Sequence, residues 1–269
     1  MSSTITFIPT YRCNMNCDYC YTNRLDKKSE MPWSDDLKNI LLKYDHIFIT
    51  GGEPTLYSQL QKVLKLDRQI SINTNFDCSP DFIEPIIKTR PDITFLVTYQ
   101  SEYSRRPKTH WFDVNLLEFR KYISSFHYVY FIRDFKVIPS DMYDLSILGK
   151  PVEPVFYFEN KDLEFVKSMS QQDRNSLKSM LINTFGSDFF EQKNPPVFDV
   201  DFIGPKTLDI YHCVQNEEKP YCQNCFPFGA DWNLCQRCLD FSKDTIFTAT
   251  TKQKYIYGAQ ELVRLLKEI

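Results

Sequence analysis

The chain has 269 residues, is 42% hydrophobic and 15% aromatic, and carries a net charge of −3. That length and apolar content suit a packed globular protein, one large α/β domain or a domain with a small appendage, and exclude disorder. The mildly acidic balance sets up no basic field for nucleic acid or anionic membrane, and no apolar run approaches the roughly 20 residues a membrane span needs.

A short strand-like run over 5–8 opens the chain without a signal-peptide pattern. The nine cysteines are odd in number and fall in short-spaced groups, which points to metal ligands in a reducing cytoplasm rather than to disulfides. The first group is the run Cys13-Asn14-Met15-Asn16-Cys17-Asp18-Tyr19-Cys20. Its i, i+4, i+7 spacing matches a helix face, but seven helical residues rise about 10.5 Å, too far for three thiolates to grip one compact cluster. Asn14 and Asn16 also favour turns. A loop curled around an inorganic core uses the spacing better, and thiolates are the usual ligands of iron–sulfur clusters. Three ligands on a four-iron cubane leave one iron open to an outside molecule.

A helical face of Leu37, Ile40, Leu41 and Tyr44 precedes the strand-like run His46-Ile47-Phe48-Ile49-Thr50. Gly51-Gly52-Glu53-Pro54 follows directly. Glycine is scarce, seven in the chain, so an adjacent pair at a strand end reads as a turn where backbone approaches a ligand, against an ordinary β-to-α turn. The ordered pair of motifs resembles the radical S-adenosylmethionine (radical SAM) family, with its three-cysteine loop after the first strand and a GGE-type motif after the second. The resemblance implies a 4Fe–4S cluster held by Cys13, Cys17 and Cys20, with the methionine amino and carboxylate groups of SAM on the open iron. It matches Gly51, Gly52 and Glu53 to the segment that holds the methionine amino group, and Tyr19 to the aromatic position beside the adenine. Reductive cleavage of SAM to a 5′-deoxyadenosyl radical is the implied chemistry, fed by a reductant such as flavodoxin or ferredoxin.

Further strand candidates lie over 70–73, 93–99, 128–132 and 155–158. Leu56, Leu60, Val63 and Leu64 share one helical face between the second and third strands. Ser79-Pro80 reads as a helix start with Ser79 as N-cap, leading to a buried face of Phe82, Ile83, Ile86 and Ile87. Asp113 is placed to cap a helix carrying Leu116, Leu117, Phe119 and Ile123. Six β-then-α units imply a parallel sheet with right-handed crossovers. That order fits the family's partial (β/α)6 TIM-like barrel, whose functional residues gather at the C-terminal strand ends. Thr74-Asn75-Phe76 resembles the family's Thr-Asn-Gly after the third strand, with Phe76 in place of glycine, and Asn75 joins the cofactor-binding positions. Ser101 and Glu102, after the fourth strand, are candidates for the SAM ribose or plain loop residues. Arg133, ending the fifth, either pairs with the SAM carboxylate through its planar fork or is a surface arginine. The basic stretch Arg105-Arg106-Pro107-Lys108 is a solvated loop or a cover over the site mouth. Cys78 reads as a small buried hydrophobe, or as a hydrogen-atom donor or acid near the active site.

Residues 171–185 form a helix pattern with Leu177, Met180, Leu181 and Phe185 apolar and Gly186 at its C-cap. Pro195-Pro196 then breaks the chain ahead of a strand-like run over 197–203. The expected division is a barrel over 1–200 and a small cysteine-rich extension with a C-terminal helix over 201–269. The extension carries Cys222-x2-Cys225 and Cys235-x2-Cys238, two CxxC pairs that can close on one metal, with Cys213 free or as a substitute ligand. An auxiliary 4Fe–4S cluster, by resemblance to twitch and SPASM extensions, and a structural zinc both fit these four thiolates. The spacing departs from the usual SPASM pattern, so one site rather than two is expected.

The four histidines lack paired-ligand spacing, and no GxSxG, Walker A or GxGxxG motif is present. No catalytic acid or base is assigned. The expected function is radical C–H activation with oxidative modification, a dehydrogenation or cross-link, of a peptide or small metabolite in natural-product biosynthesis. RNA-nucleoside modification is disfavoured by the acidic charge. A non-enzymatic zinc-binding interaction protein would leave Gly51-Gly52-Glu53 and the six βα units unexplained. With Cys13 so near the first residue, no leader-recognition domain is expected ahead of the barrel.

Overall fold

The computed structural model describes residues 3–15, 17, 28–100, 110–157, 160–185, 201–204, 207–211 and 265. Strands and helices alternate from the start: β1 (Thr4–Phe7), α1 (Asp35–Leu41), β2 (His46–Ile49), α2 (Leu60–Leu64), β3 (Gln69–Thr74) and α3 (Pro80–Thr89). The alternation continues through β4 (Thr94–Gln100), α4 (His110–Glu118), β5 (Ile123–Phe131), α5 (Ile138–Ile147), β6 (Val152–Tyr157) and α6 (Asn160–Ser168). α7 (Gln171–Phe185), β7 (Asp201–Gly204) and β8 (Thr207–Tyr211) follow. Six strands each followed by a helix give the α/β order expected of a partial (β/α)6 barrel.

The molecule divides into two compact units. The first holds β1 to β3, β4 up to Tyr99, α4 and β5 up to His127, together with β7 and β8; the second holds Gln100, β5 from Tyr128 onward, α5, β6, α6 and α7. In the first unit β1 pairs in parallel with β2, β2 with β3 and β3 with β4. On its other edge β1 pairs in parallel with β7, and β8 returns antiparallel to β7. Alternate residues along the strands are buried: Ile5, Phe7, Ile47, Ile49, Ile70, Ile72, Phe95 and Val97 form one apolar face. Leu37, Leu41, Val63, Leu64, Ile83 and Ile86 are the buried sides of α1 to α3, the way a parallel sheet and its crossover helices share a core. The opposite face carries polar rows. Thr4 Oγ1 lies 3.5 Å from His46 Nδ1, His46 Nε2 lies 2.8 Å from Ser71 Oγ, and Ser71 Oγ lies 3.0 Å from Thr94 Oγ1. Nearer the C-terminal strand ends, Asn73 donates to Thr50 Oγ1 at 3.3 Å and accepts from Thr98 at 3.0 Å.

In the second unit, Ile138, Leu145, Val166, Leu177 and Leu181 are buried, Phe135 packs on Phe165, and the Tyr128 hydroxyl donates to Asp141 at 2.9 Å. Among the described residues no helix is long and apolar enough to cross a membrane.

Three local readings are corrected. Asp113 is not an N-cap: α4 already begins at His110, and Asp113 lies in its first turn, where a carboxylate favours the helix dipole. Ile123 opens β5 rather than closing the α4 face, and Leu117 is 75% exposed. Two serines at 124 and 125 interrupt the apolar pattern of this strand, in which Ile123, Phe126 and Tyr128 are buried. Phe82 is also exposed, leaving Ile83 and Ile86 as the buried residues of α3. Ser79 caps α3 as expected, accepting from the Asp81 amide. The range of α7 coincides with the expected helix.

Candidate metal and cofactor site

The cysteine loop leaves the C-terminal end of β1 and is pinned where it starts. Thr10 bridges Glu30 in antiparallel fashion, the Tyr11 amide donates to Ser29 O, and the Met31 amide donates to Pro9 O at 2.7 Å. The Arg12 amide is bonded to Thr10 Oγ1 at 3.0 Å, and the Arg12 guanidinium pairs with Glu30 at 3.4 Å. Within this frame Cys13 is half-buried and Cys17 buried.

The turn after β2 docks on the base of that loop. The Gly52 amide donates to Thr10 O at 2.9 Å and the Glu53 amide to Arg12 O at 2.6 Å. Gly51 has φ +124°, and a Cβ there would lie 2.7 Å from Ile8 Cγ2 and 2.8 Å from Thr10 O. A Cβ on Gly52 would collide with the Arg12 carbonyl and approach the Tyr11 carbonyl carbon to 2.7 Å. Two glycines are therefore required by the close approach of two backbones.

Glu53 points inward. It is fully buried, and its Oε1 accepts from Thr55 N at 3.2 Å, Thr55 Oγ1 at 2.9 Å and Thr74 Oγ1 at 2.8 Å. Its Oε2 accepts from the Asn75 amide at 2.8 Å. Burial pushes the carboxyl up, against the four donors that favour the ionised form. The side chain thus ties the end of β2 to the end of β3 through charge-assisted hydrogen bonds. Cys78, 6% exposed, receives the Thr55 hydroxyl at 3.9 Å. Burial, with the Glu53 charge adding to it, pushes its thiol up to about 12, so it is a protonated, buried sulfur at neutral pH.

The turn after β3 closes the group. Asn75 Nδ2 donates to Asn14 Oδ1 at 2.8 Å and faces Cys13 Sγ at 3.8 Å; Asn75 Oδ1 accepts from the Asp77 amide at 2.9 Å. Asn14 Nδ2 donates to Asp77 O at 2.6 Å. Phe76 takes φ +56° in the place where the resembling motif has glycine. Its ring is fully buried, 5.4 Å from Phe95 and 6.3 Å from Phe119 between centroids. The buried Asn115 amide donates to Phe76 O at 2.9 Å and Cys78 O at 2.7 Å, holding the turn from α4.

Cys13, Gly51, Gly52, Glu53 and Asn75 are thus brought together at adjacent C-terminal strand ends. Arg133 lies in the second unit, in the turn Ile132–Asp134 after β5. Tyr19, Cys20, Ser101, Glu102, residues 105–108, Gly186, Cys213, Cys222, Cys225, Cys235 and Cys238 lie outside the described residues. Sequence reasoning missed the parts of Thr10, Asn14, Thr55, Asp77 and Asn115; only Asn14, a turn-forming residue inside the cysteine run, carried a local signal.

The donors around Cys13 fit a thiolate ligand: besides Asn75, the Met15 amide donates to its Sγ at 3.4 Å. N–H groups on sulfur stabilise the negative charge that an iron–sulfur ligand carries.

Residues 7–95 match the Radical SAM superfamily. A Methanocaldococcus jannaschii protein described as a candidate glycyl-radical enzyme activating enzyme is 39% identical over 72 residues, 24% of this chain and 27% of that one. The structure of SuiB from Streptococcus suis bound to S-adenosylmethionine has a TM-score of 0.49 at 19% identity, covering 76% of this chain and 50% of that chain. SuiB bound to the precursor peptide SuiA also gives 0.49, at 20% identity, covering 71% and 47%. The chain therefore spans about a quarter of the curated relative and about half of the SuiB chain. The matched segment over 7–95 contains the start of the cysteine loop and the docked GGE turn.

Proposed function

We propose that this chain is a radical SAM enzyme that activates a C–H bond for oxidative modification, a dehydrogenation or a cross-link, of a peptide or small metabolite in natural-product biosynthesis. The observation that carries the reading is the pair of bonds from Gly52 and Glu53 to Thr10 and Arg12, which join the GGE turn to the cysteine loop one residue before Cys13. Cys13, Cys17 and Cys20 hold the cluster, and Gly51, Gly52 and Glu53 form the wall toward the methionine end of SAM. When bound, the 4Fe–4S cluster and SAM supply a 5′-deoxyadenosyl radical that takes a hydrogen atom from the substrate. Tyr19, Ser101, Glu102 and Arg133 are further SAM-contacting positions. The electron comes from a reductant such as flavodoxin or ferredoxin in the cytoplasm. The net charge of −3 weighs against an RNA substrate.

Anaerobically reconstituted protein should cleave SAM under reductant, and Cys13→Ala, Cys17→Ala and Cys20→Ala should each abolish cleavage. Full cleavage by any of the three, or a purified protein holding only zinc, overturns the reading.

The extension over 201–269 is proposed to hold one further site on Cys222, Cys225, Cys235 and Cys238, either a 4Fe–4S cluster or a zinc. Its test is metal content in a variant lacking Cys13, Cys17 and Cys20. Iron that remains assigns an iron–sulfur site, whose loss in a Cys235→Ala/Cys238→Ala variant should stop product formation while SAM cleavage persists. Zinc in its place assigns a structural site, whose loss should unfold the extension.

A further inference from the structure

We infer that Asn75 is a positioning residue for the Cys13 thiolate, holding an N–H against Cys13 Sγ and thereby raising the reduction potential of the cluster, rather than contacting SAM. The inference rests on the radical SAM reading above. The Asn75 Nδ2 group is directed within the protein, 2.8 Å from Asn14 Oδ1 and 3.8 Å from Cys13 Sγ. Its Oδ1 is engaged by the Asp77 amide at 2.9 Å. The backbone is held as firmly, since the Asn75 amide donates to the buried Glu53 carboxylate at 2.8 Å. Asn14 is in turn fixed by its own donation to Asp77 O at 2.6 Å. A half-buried carboxamide restrained at both nitrogen and oxygen has a defined direction, and that direction presents a donor to the sulfur.

The electrostatic consequence has one sign. Adding an electron to an iron–sulfur cluster increases the negative charge on its thiolates, and a fixed N–H dipole stabilises the more negative state. Hydrogen bonds to cluster sulfurs are a recognised control of such potentials. Asn is the side chain that can do this here. Asp has the same shape but would set an oxygen against both Cys13 Sγ and Asn14 Oδ1, and Ala would leave the sulfur to solvent.

The test is a dithionite titration of the reconstituted full-length protein, without SAM, monitored by electron paramagnetic resonance. The relevant signal is the one missing from Cys13→Ala. Asn75→Ala and Asn75→Asp should both load iron, and at fixed poise their ratio of reduced to oxidised cluster should fall several-fold, more for Asp. Thermal unfolding of the cluster-free proteins, expected near that of the parent, separates this from loss of fold. Unchanged midpoints in both variants overturn the inference and leave the radical SAM reading intact. Variants that fold but load no iron also overturn it, because Asn75 would then only shape the loop. A parent protein that binds no iron through Cys13, Cys17 and Cys20 overturns the reading itself.

Discussion

The Glu53 amide donates to the Arg12 carbonyl at 2.6 Å, so the turn after β2 is bonded to the residue immediately before Cys13. Two segments about forty positions apart in sequence thus form one structural unit at the C-terminal end of the sheet. Any change that separates these backbones should be felt at the cysteines.

Gly52→Ala makes that separation directly, because the added methyl meets the Arg12 carbonyl, a backbone atom with no freedom to swing aside. Overpacking of this kind costs ~1–3 kcal/mol. The expected result is a lower urea midpoint for the cluster-free protein and a large loss of iron after reconstitution. Normal iron content in Gly52→Ala would show that the loop does not depend on this approach.

Glu53→Gln keeps the shape and changes one acceptor oxygen into an NH2 group. All four partners of Glu53 are donors, so at least one donor must then face another. A buried mismatch of this type costs ~1–3 kcal/mol. Chemical denaturation should show that loss, and Asp at the same position should not restore stability because it is one methylene too short to span Thr74 and Thr55.

Phe76 sets two effects against each other. Its φ of +56° costs ~1–2 kcal/mol relative to glycine, whereas removing a buried phenylalanine ring costs ~3–5 kcal/mol. The ring therefore wins, and Phe76→Gly should destabilise the protein by about 1–4 kcal/mol. A stabilised variant would mean that the contacts with Phe95 and Phe119 contribute little.

His46 should make stability depend on pH. Burial between Thr4 and Ser71 holds its imidazole below the ordinary value. The unfolded chain therefore takes up a proton first as pH falls, near an ordinary histidine pKa of about 6.5. Stability is fully present above that pH and is lost as pH drops from there through the lower folded value. His46→Gln, which cannot titrate, should flatten the profile of unfolding free energy between about pH 7 and 5. An unchanged slope would remove His46 as its source.

Much of this protein was legible along the chain because the responsible chemistry is local. The three-cysteine spacing, the Gly51-Gly52 pair in a glycine-poor sequence, the Ser79-Pro80 helix start and the alternation of β and α patterns each involve a few neighbouring residues. They were sufficient for the α/β order and for placing Cys13, Gly51 and Asn75 after successive strands. The partners of Glu53 and Asn75 were decided only by the tertiary structure. The parallel register of β2 and β3 sets the Glu53 carboxylate against Thr74 and the Asn75 amide. Asn14 and Asp77 are joined across 63 positions, a pairing without a local signature. The parallel pairing of β7 with the free edge of β1 is likewise a contact between distant segments. Periodicity reports which face of an element is buried, but not which partner meets it, because that depends on strand register and the close approach of backbones far apart in sequence.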